Sequence, residues 1–437
     1  MKNCLIIAYY FPPSGGPGVQ RVLKHVKYLP EFGWNPIVLT VSNGQYPAID
    51  ESLVAQIPAG TEVVKSHIFE PYDIYRKLTG KGKGTAIDVN VIKKDGQKSG
   101  FREQLAEFVR ATFFIPDARM FWYFSAKRAI EEIMKQHDIS AIYSSSPPYT
   151  CSMIARWAKR KYNLPWVAGF RDPWTGFISS PKRWALPRAI DRRMEHSDFA
   201  EADAVECAWK GIIKDALGKY PLLDNEKFHH VPNGFDSADY PAVEQKHNER
   251  FTLTYTGSMY GRRNPASLFA AVEMLIGRGE IDPKKFCFRF VGRFGAEVEE
   301  MFRAASFAPS IDVVGYMAHN DSIVRLMQSD ALLLVVDESK ESEEIVPGKV
   351  YEYIGCRKPI LAIAPQESAI AELIRETGAG RVAHQSELEK IADIVLELYR
   401  NWEGGKQFAA SGAGIEKYER RESARSLAGL LDGFSGR

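Results

Sequence analysis

The sequence predicts an α/β protein made of two doubly wound domains, and three observations carry that prediction. Short apolar runs alternate with amphipathic helical stretches along the chain, the pattern of βαβ units and parallel sheets. The alternation pauses in the polar stretch 237–250 and restarts at about residue 251. The length, 437 residues, is about three times that of a typical domain of ~100–150 residues.

In the first half, strands are expected at 5–10, 36–41, 61–65, 141–144, 166–170, 204–206 and 229–231. These are short runs in which β-branched and aromatic residues dominate. Helical periodicity fills 19–32, 125–136 and 152–162. In the second half the strands fall at 253–256, 288–291, 312–314, 332–336, 360–363 and 381–383, with helices at 265–277 and 368–377. Residues 80–100, rich in Gly and Lys, read as a loop, and 415–434 reads as a helix. The expected division is an N-terminal domain over 1–240, a second domain over 241–414 and a C-terminal helix within 415–437 that crosses back to the first. A hinge is expected near 237–250.

Composition narrows the function classes. Apolar residues make up 45% and charged residues 26%, which suits a packed chain and excludes a disordered or fibrous one. No apolar run approaches the ~20 residues of a membrane span. The N-terminal MKNCLIIAYYFPP has one lysine and no small-residue cleavage site, and reads as a first strand rather than a signal peptide. The five cysteines form no C-x-x-C pair, which fits a reducing cytoplasm. The nine histidines show no H-x-H or H-x3-H spacing, so neither a metal site nor a cofactor is expected.

The net charge of +2 hides an asymmetry: residues 1–240 hold 32 basic against 26 acidic side chains, and the remainder 25 against 29. Residues 76–128 alone hold 12 basic and 5 acidic residues, interleaved from 101 to 128 with seven aromatics of the Phe and Trp type. Such a stretch is a solvated basic face over core aromatics, or a contact for an anionic membrane surface. Nucleic acid is a third possibility by charge, but no nucleic-acid motif accompanies it.

After the first strand comes FPPSGGPGVQR and then a helix. Gly15, Gly16 and Gly18 permit positive φ and let backbone N–H groups approach an anion at the positive end of the helix. A dinucleotide enzyme would need G-x-G-x-x-G and an acid closing the second strand. Here that strand ends in Leu39-Thr40-Val41. The loop is therefore expected to meet a phosphate or substrate, or to be a structural turn, without the ribose clamp of nicotinamide enzymes.

The string YYFPPSGGPG resembles the N-terminus of bacterial glycosyltransferases of family 4, group 1, which are of the exopolysaccharide and cell-envelope type. Further segments agree with that family in order: SSSPPY at 144–149, FRDPWTGF at 170–177, VPNGFD at 231–236, YTGSMYGRRNP at 255–265, FVGRF at 290–294 and EEIVPGKVYEYIGCRKPILAI at 343–363. The resemblance implies the GT-B fold, two Rossmann-like domains facing across a cleft, and a nucleotide-sugar donor with no nicotinamide.

It also implies roles. A basic pair near Arg262 and Arg263 would hold the donor diphosphate, together with Gly16, Gly18 and Lys349; Arg293 is a further candidate cation. Arginine suits this because its fork matches phosphate oxygens. Glu344 and Glu352 have the E-x7-E spacing of the family, Glu344 facing the donor sugar and Glu352 the ribose. This chain reads E-E-I-V-P-G-K where the family more often has E-G-F-G, so Glu343 competes with Glu344. Tyr316 and Met317 fall where relatives meet the base. Asp172, directly after a buried strand, is the expected catalytic group, either deprotonating an acceptor hydroxyl or hydrogen-bonding the sugar. An ion pair with Arg171 is the alternative. Trp174 is placed to wall the pocket, and Ser144–Ser146 with Tyr149 to line the acceptor side or to form an ordinary turn. The expected function is transfer of a sugar from a UDP- or GDP-sugar to a lipid-linked or polysaccharide acceptor, without metal. The expected location is the cytoplasm or the inner face of its membrane. Alternatives are a nucleotide-sugar epimerase of the same fold and a non-catalytic nucleotide-sugar binder.

Overall fold

The computed structural model describes the chain except for residue 47 and residues 70–100, 178–179, 244–246, 339–345, 407–413 and 435–437. The chain divides into two compact units, Met1–Asn233 with Arg420–Arg437, and Gly234–Glu419. The boundaries thus fall at 233/234 and 419/420, where the sequence reading put 240 and 414.

The first unit is a seven-stranded, all-parallel sheet in the order β3-β2-β1-β4-β5-β6-β7. Its strands are β1 (Lys2–Ile7), β2 (Trp34–Val41), β3 (Glu62–Ser66), β4 (Ile139–Ser146), β5 (Trp166–Phe170), β6 (Ala204–Cys207) and β7 (Phe228–His230). Every strand expected from the sequence is present. The first differs most: the apolar run continues to Phe11, but the strand stops at Ile7, and Tyr9 and Phe11 are buried in the turn that follows. Helix Pro17–Tyr28 packs Val22 and Val26 on one face of the sheet against Cys4, Ile6, Trp34 and Tyr143. Leu427 and Leu431 of the C-terminal helix Arg420–Phe434 complete the same core.

A buried ionic network lies beneath that face. Arg21, 1% exposed, pairs with the fully buried Glu206 at 2.9 Å, and the Tyr143 hydroxyl donates to Glu206 at 2.7 Å. Burial would raise the Glu206 carboxyl, but Arg21 and the neighbouring groups outweigh it and hold the acid low. Arg21 also donates to the Val231 and Pro232 carbonyls (2.8 and 3.1 Å) and to Asn233 Oδ1 (3.3 Å), and Arg420 reaches the same Oδ1 at 3.4 Å. The residues by which the chain leaves and re-enters this unit are therefore tied to one point.

The second unit is a six-stranded parallel sheet in the order β10-β9-β8-β11-β12-β13. Its strands are β8 (Phe251–Thr256), β9 (Phe286–Val291), β10 (Ile311–Gly315), β11 (Ala331–Val335), β12 (Ile360–Ile363) and β13 (Gly380–Ala383). A Phe-rich core with helices Ala266–Gly277 and Leu388–Glu403 covers one face, and helices Gly348–Gly355 and Ala369–Thr377 cover the other. The unit begins and ends side by side: Phe235 N–H donates to Tyr418 O at 3.0 Å, and Ser237 N–H to Glu419 Oε2 at 3.2 Å.

In each sheet the winding direction reverses beside a central strand, between β1 and β4 and between β8 and β11. Open α/β sheets bind ligands at the carboxyl ends of the strands at such reversals. The glycine loop follows β1, and the Arg262-Arg263 loop follows β8.

Candidate functional site

In the second unit the backbone itself sets up the site. Gly257, at φ +114°, ends β8 and donates to Val291 O at 2.8 Å, and Gly292, at φ +146°, ends β9 and donates to Gly315 O at 2.8 Å. A Cβ on Gly292 would run into the Gly257 carbonyl, so only glycine lets the two turns stack this closely. The ends of β8, β9 and β10 are thereby locked into one ledge.

Helix Gly348–Gly355 meets this ledge with Pro347 at its N-cap and no side chain capping its first N–H groups. Tyr353 anchors it: the Thr256 N–H donates to the Tyr353 hydroxyl at 2.8 Å. Lys349, in the first turn, sends its Nζ to the Tyr255 hydroxyl at 2.9 Å and lies 4.1 Å from the Tyr255 ring centroid. Burial pushes the Lys349 ammonium down to about 7; the Arg263 charge adds to the depression and Glu352 opposes it.

The two adjacent arginines separate clearly. Arg263 points inward, with its Nη2 3.5 Å from Asp337 Oδ2 and its Nε buried without a hydrogen-bond partner. Arg262 is exposed and, among the described residues, makes no ion pair. Glu352, one turn on from Lys349, is half-buried with Oε1 3.8 Å from His319 Nδ1. The Arg293 guanidinium lies 5.0 Å over the ring of Tyr316, which is 73% exposed, and Met317 is half-buried next to it. Glu344 and its competitor Glu343 lie outside the described residues.

Arg263, Lys349 and Glu352 are thus brought together. The sequence reading missed Tyr255, His319 and Asp337. Tyr255 carried a readable signal, being the one hydroxyl-bearing aromatic in β8; the other two lie in separate elements and show nothing locally.

The remaining candidates lie in the first unit. Gly16, at φ +96°, is the N-cap of helix Pro17–Tyr28. Gly18 sits directly against the Arg171 guanidinium, which occupies the space a side chain there would need. Arg171 donates to the Pro147 carbonyl and, at 3.4 Å, to the Ser146 carbonyl. It forms no ion pair with Asp172, whose carboxylate has no hydrogen-bond or ion-pair partner among the described residues. Burial raises the Asp172 carboxyl above its usual range, with the Arg171 charge partly opposing.

Three neighbours differ from expectation. Ser144 and Ser146 are fully buried, their hydroxyls engaged by Trp166 Nε1 (2.9 Å) and by Ser152 Oγ (2.7 Å), so they serve the core rather than an acceptor. Trp174 is 1% exposed, stacked on Tyr149 at 4.5 Å, with its Nε1 donating to Asp191 at 2.9 Å. These aromatic rings form a floor under the Asp172 turn, not a pocket wall. Among the described residues no group of His, Cys, Asp or Glu could hold a metal ion, and no helix is long and apolar enough to cross a membrane.

The family description Glycosyltransferase Family 4 matches residues 72–239, and Glycosyl transferases group 1 matches residues 250–401. The chain belongs to the family 4, group 1 glycosyltransferases. This decides between the alternatives weighed on sequence in favour of a transferase over an epimerase or a binder. No curated protein matches the sequence of this glycosyltransferase. Among solved structures it is similar to HepE of Anabaena in complex with UDP, with a TM-score of 0.58 at 14% identity over 99% of this chain and 100% of that one. It is also similar to the sucrose-phosphate synthase of Thermosynechococcus elongatus (0.60, 11%, 99% and 99%). A glycosyltransferase from Rickettsia africae gives 0.62 at 12% identity, covering 99% and 98%. At these identities the likeness shows the fold, and this glycosyltransferase has the GT-B fold.

Proposed function

We propose that this glycosyltransferase moves a sugar from a nucleoside-diphosphate sugar to a lipid-linked or polysaccharide acceptor in cell-envelope glycan synthesis. Carrying this reading is the cluster at the ledge of β8: Arg263 with its buried Nε, the half-buried Lys349 and an uncapped helix start at Gly348. Three sources of positive potential that repel one another when empty are stabilised by a diphosphate and by the charge it gains on leaving. Glu352 takes the ribose hydroxyls, Tyr316 and Met317 meet the base, and Arg263 rather than Arg262 contacts phosphate. Glu344 keeps its assignment to the donor sugar. In the first unit, Arg171 is a cation held at the positive end of a helix, which favours an anion on the Gly16–Gly18 loop. Asp172 is the catalytic acid-base group. UDP is favoured over GDP as the donor nucleotide, because HepE is named in complex with UDP and with UDP-glucose. Catalysis is metal-independent, with arginine and lysine in place of a cation.

The test is a thermal-shift panel of UDP, GDP, ADP and NAD, with and without EDTA, since a ligand of the native state raises its stability. UDP or GDP should raise the midpoint with EDTA present, and sugar transfer should survive EDTA. A shift by NAD alone, or activity lost to EDTA and restored by magnesium, sinks the corresponding part of the reading.

Lys349 gives this site a pH dependence. In the empty site its ammonium titrates near 7, and an adjacent diphosphate raises that value. Below pH 7 the side chain is charged with and without ligand, so affinity is flat. Above it, binding must take up a proton, and UDP affinity should fall by up to about tenfold per pH unit. Titration calorimetry between neutral and alkaline pH measures the slope. Lys349→Met should abolish it, and a slope that survives this change would assign it to another group.

A further inference from the structure

The helix Ala185–Glu201 carries its polarity inside out. Its buried side is acidic. Asp191 pairs with Arg183 at 2.7 Å and accepts from Trp174. Glu195 accepts from the Thr175 N–H at 3.0 Å and the Tyr220 hydroxyl at 2.7 Å. Asp198, fully buried, faces Arg156 at 3.0 Å. Its outward side carries Leu186 (59% exposed) and Ile190 (44%), one turn apart, with Ala189 between them. Arg188, Arg192 and Arg193 are exposed beside them. No acidic side chain shares that face between 185 and 200.

This face continues onto a second helix, Phe101–Phe113. Trp184, 46% exposed, donates its Nε1 to Thr112 Oγ1 at 3.0 Å, which sets it beside the last turn, where Phe108 (54%) and Phe113 (66%) are exposed. Arg183 fastens the two elements. It donates to the Ala111 carbonyl at 2.6 Å, to Phe114 O at 2.9 Å and to Pro116 O at 2.8 Å, while its Nε holds Asp191. The result is an apolar patch whose border is basic; Lys182 is also exposed there, and Glu107 is the one exposed acid among the described side chains of the second helix.

We infer that this joint face of residues 107–113 and 184–193 is the surface by which the protein docks on an anionic lipid bilayer. An exposed apolar patch of this make-up is costly in water unless something covers it. Charge complementarity selects the occupant: three arginines around two aliphatic side chains match phosphate headgroups over acyl chains. Trp184, with its N–H satisfied by Thr112 and its ring exposed, suits the boundary between them. The inference deepens the proposed function, resting on a lipid-linked acceptor for its purpose but not for its geometry. It moves the centre of contact from the basic stretch 101–128, where Trp122 and Arg119 are buried, onto a helix outside that stretch.

The test is cosedimentation of the full chain with phosphatidylcholine vesicles, with and without phosphatidylglycerol. The parent should bind only the anionic vesicles, less as salt rises. In Leu186→Glu/Ile190→Glu each replacement should weaken binding about tenfold or more, and Arg192→Gln and Arg193→Gln about fivefold each. The UDP-induced thermal shift should be unchanged in all of them, which shows that they fold. Parental vesicle binding by the Glu variant, or no binding by the parent at low salt, overturns the inference. So does a concentration-dependent dimer that the Glu variant dissolves, which gives the face to a second copy of the chain. Vesicle binding without any nucleotide shift would instead keep the surface and reject the donor reading.

Discussion

Asp172→Asn should lower turnover by roughly 10²–10⁴, the range expected for loss of a general base, with nucleotide affinity nearly unchanged. The carboxylate follows β5 at the carboxyl edge of its sheet and has no partner among the described residues. The nearest cation, Arg171, is engaged with the Ser146 and Pro147 carbonyls. An unpaired, desolvated carboxylate is a better base than an exposed or ion-paired one, and burial has raised it in that direction. Since the deprotonated form does the work, activity should fall as pH drops through this raised value. Asparagine preserves shape and a hydrogen bond but accepts no proton. Initial rates with saturating donor measure the change; normal turnover in a folded variant would return Asp172 to a structural role.

The second large effect is expected at Glu352. A hydrogen bond to a charged group contributes roughly 1.5–3 kcal/mol, so Glu352→Ala should weaken donor nucleotide binding about 10- to 150-fold. Position supports the argument. Gly348 opens the helix, and a residue four places on lies nearly above it. A group that grips a ribose there can share a ligand whose phosphates sit at the helix start. His319 Nδ1 lies 3.8 Å from the carboxylate. Glu352→Gln should lose less, because one acceptor oxygen remains. Calorimetric titration with UDP reads both, and parental affinity in the alanine variant would make the E-x7-E match a coincidence of helix surface.

The strands were legible because a parallel sheet is covered on both faces, so its strands appear as unbroken apolar runs. Ile360–Ile363 and Trp166–Phe170 match their expected bounds for that reason. The helix Ala185–Glu201 was not legible, and its chemistry explains why. Periodicity assumes apolar residues inside, whereas here Asp191, Glu195 and Asp198 are inside and Leu186 and Ile190 outside. At the site, Lys349 and Glu352 could be singled out because one short helix carries both. Choosing Arg263 over Arg262 needed Tyr255 of β8 and Asp337 of the loop after β11, which lie far apart in sequence. Ser144–Ser146 were misassigned because β4 runs on to Ser146, past the expected end at 144, and Trp174 because a residue in the turn after a strand can face either way, which local sequence does not say.

The side-by-side ends of residues 234–419 have a consequence for gene architecture. Phe235 pairs with Tyr418 at the base of this segment, while Asn233 and Arg420 meet across the place it was inserted. In genetic terms the second unit is a cassette spliced into the first, with entry and exit at one address. Such a cassette can be exchanged for another of the same base width without re-threading its host. With the donor held by the second unit, as proposed above, donor preference would be inherited, or swapped, apart from whatever the first unit acts on.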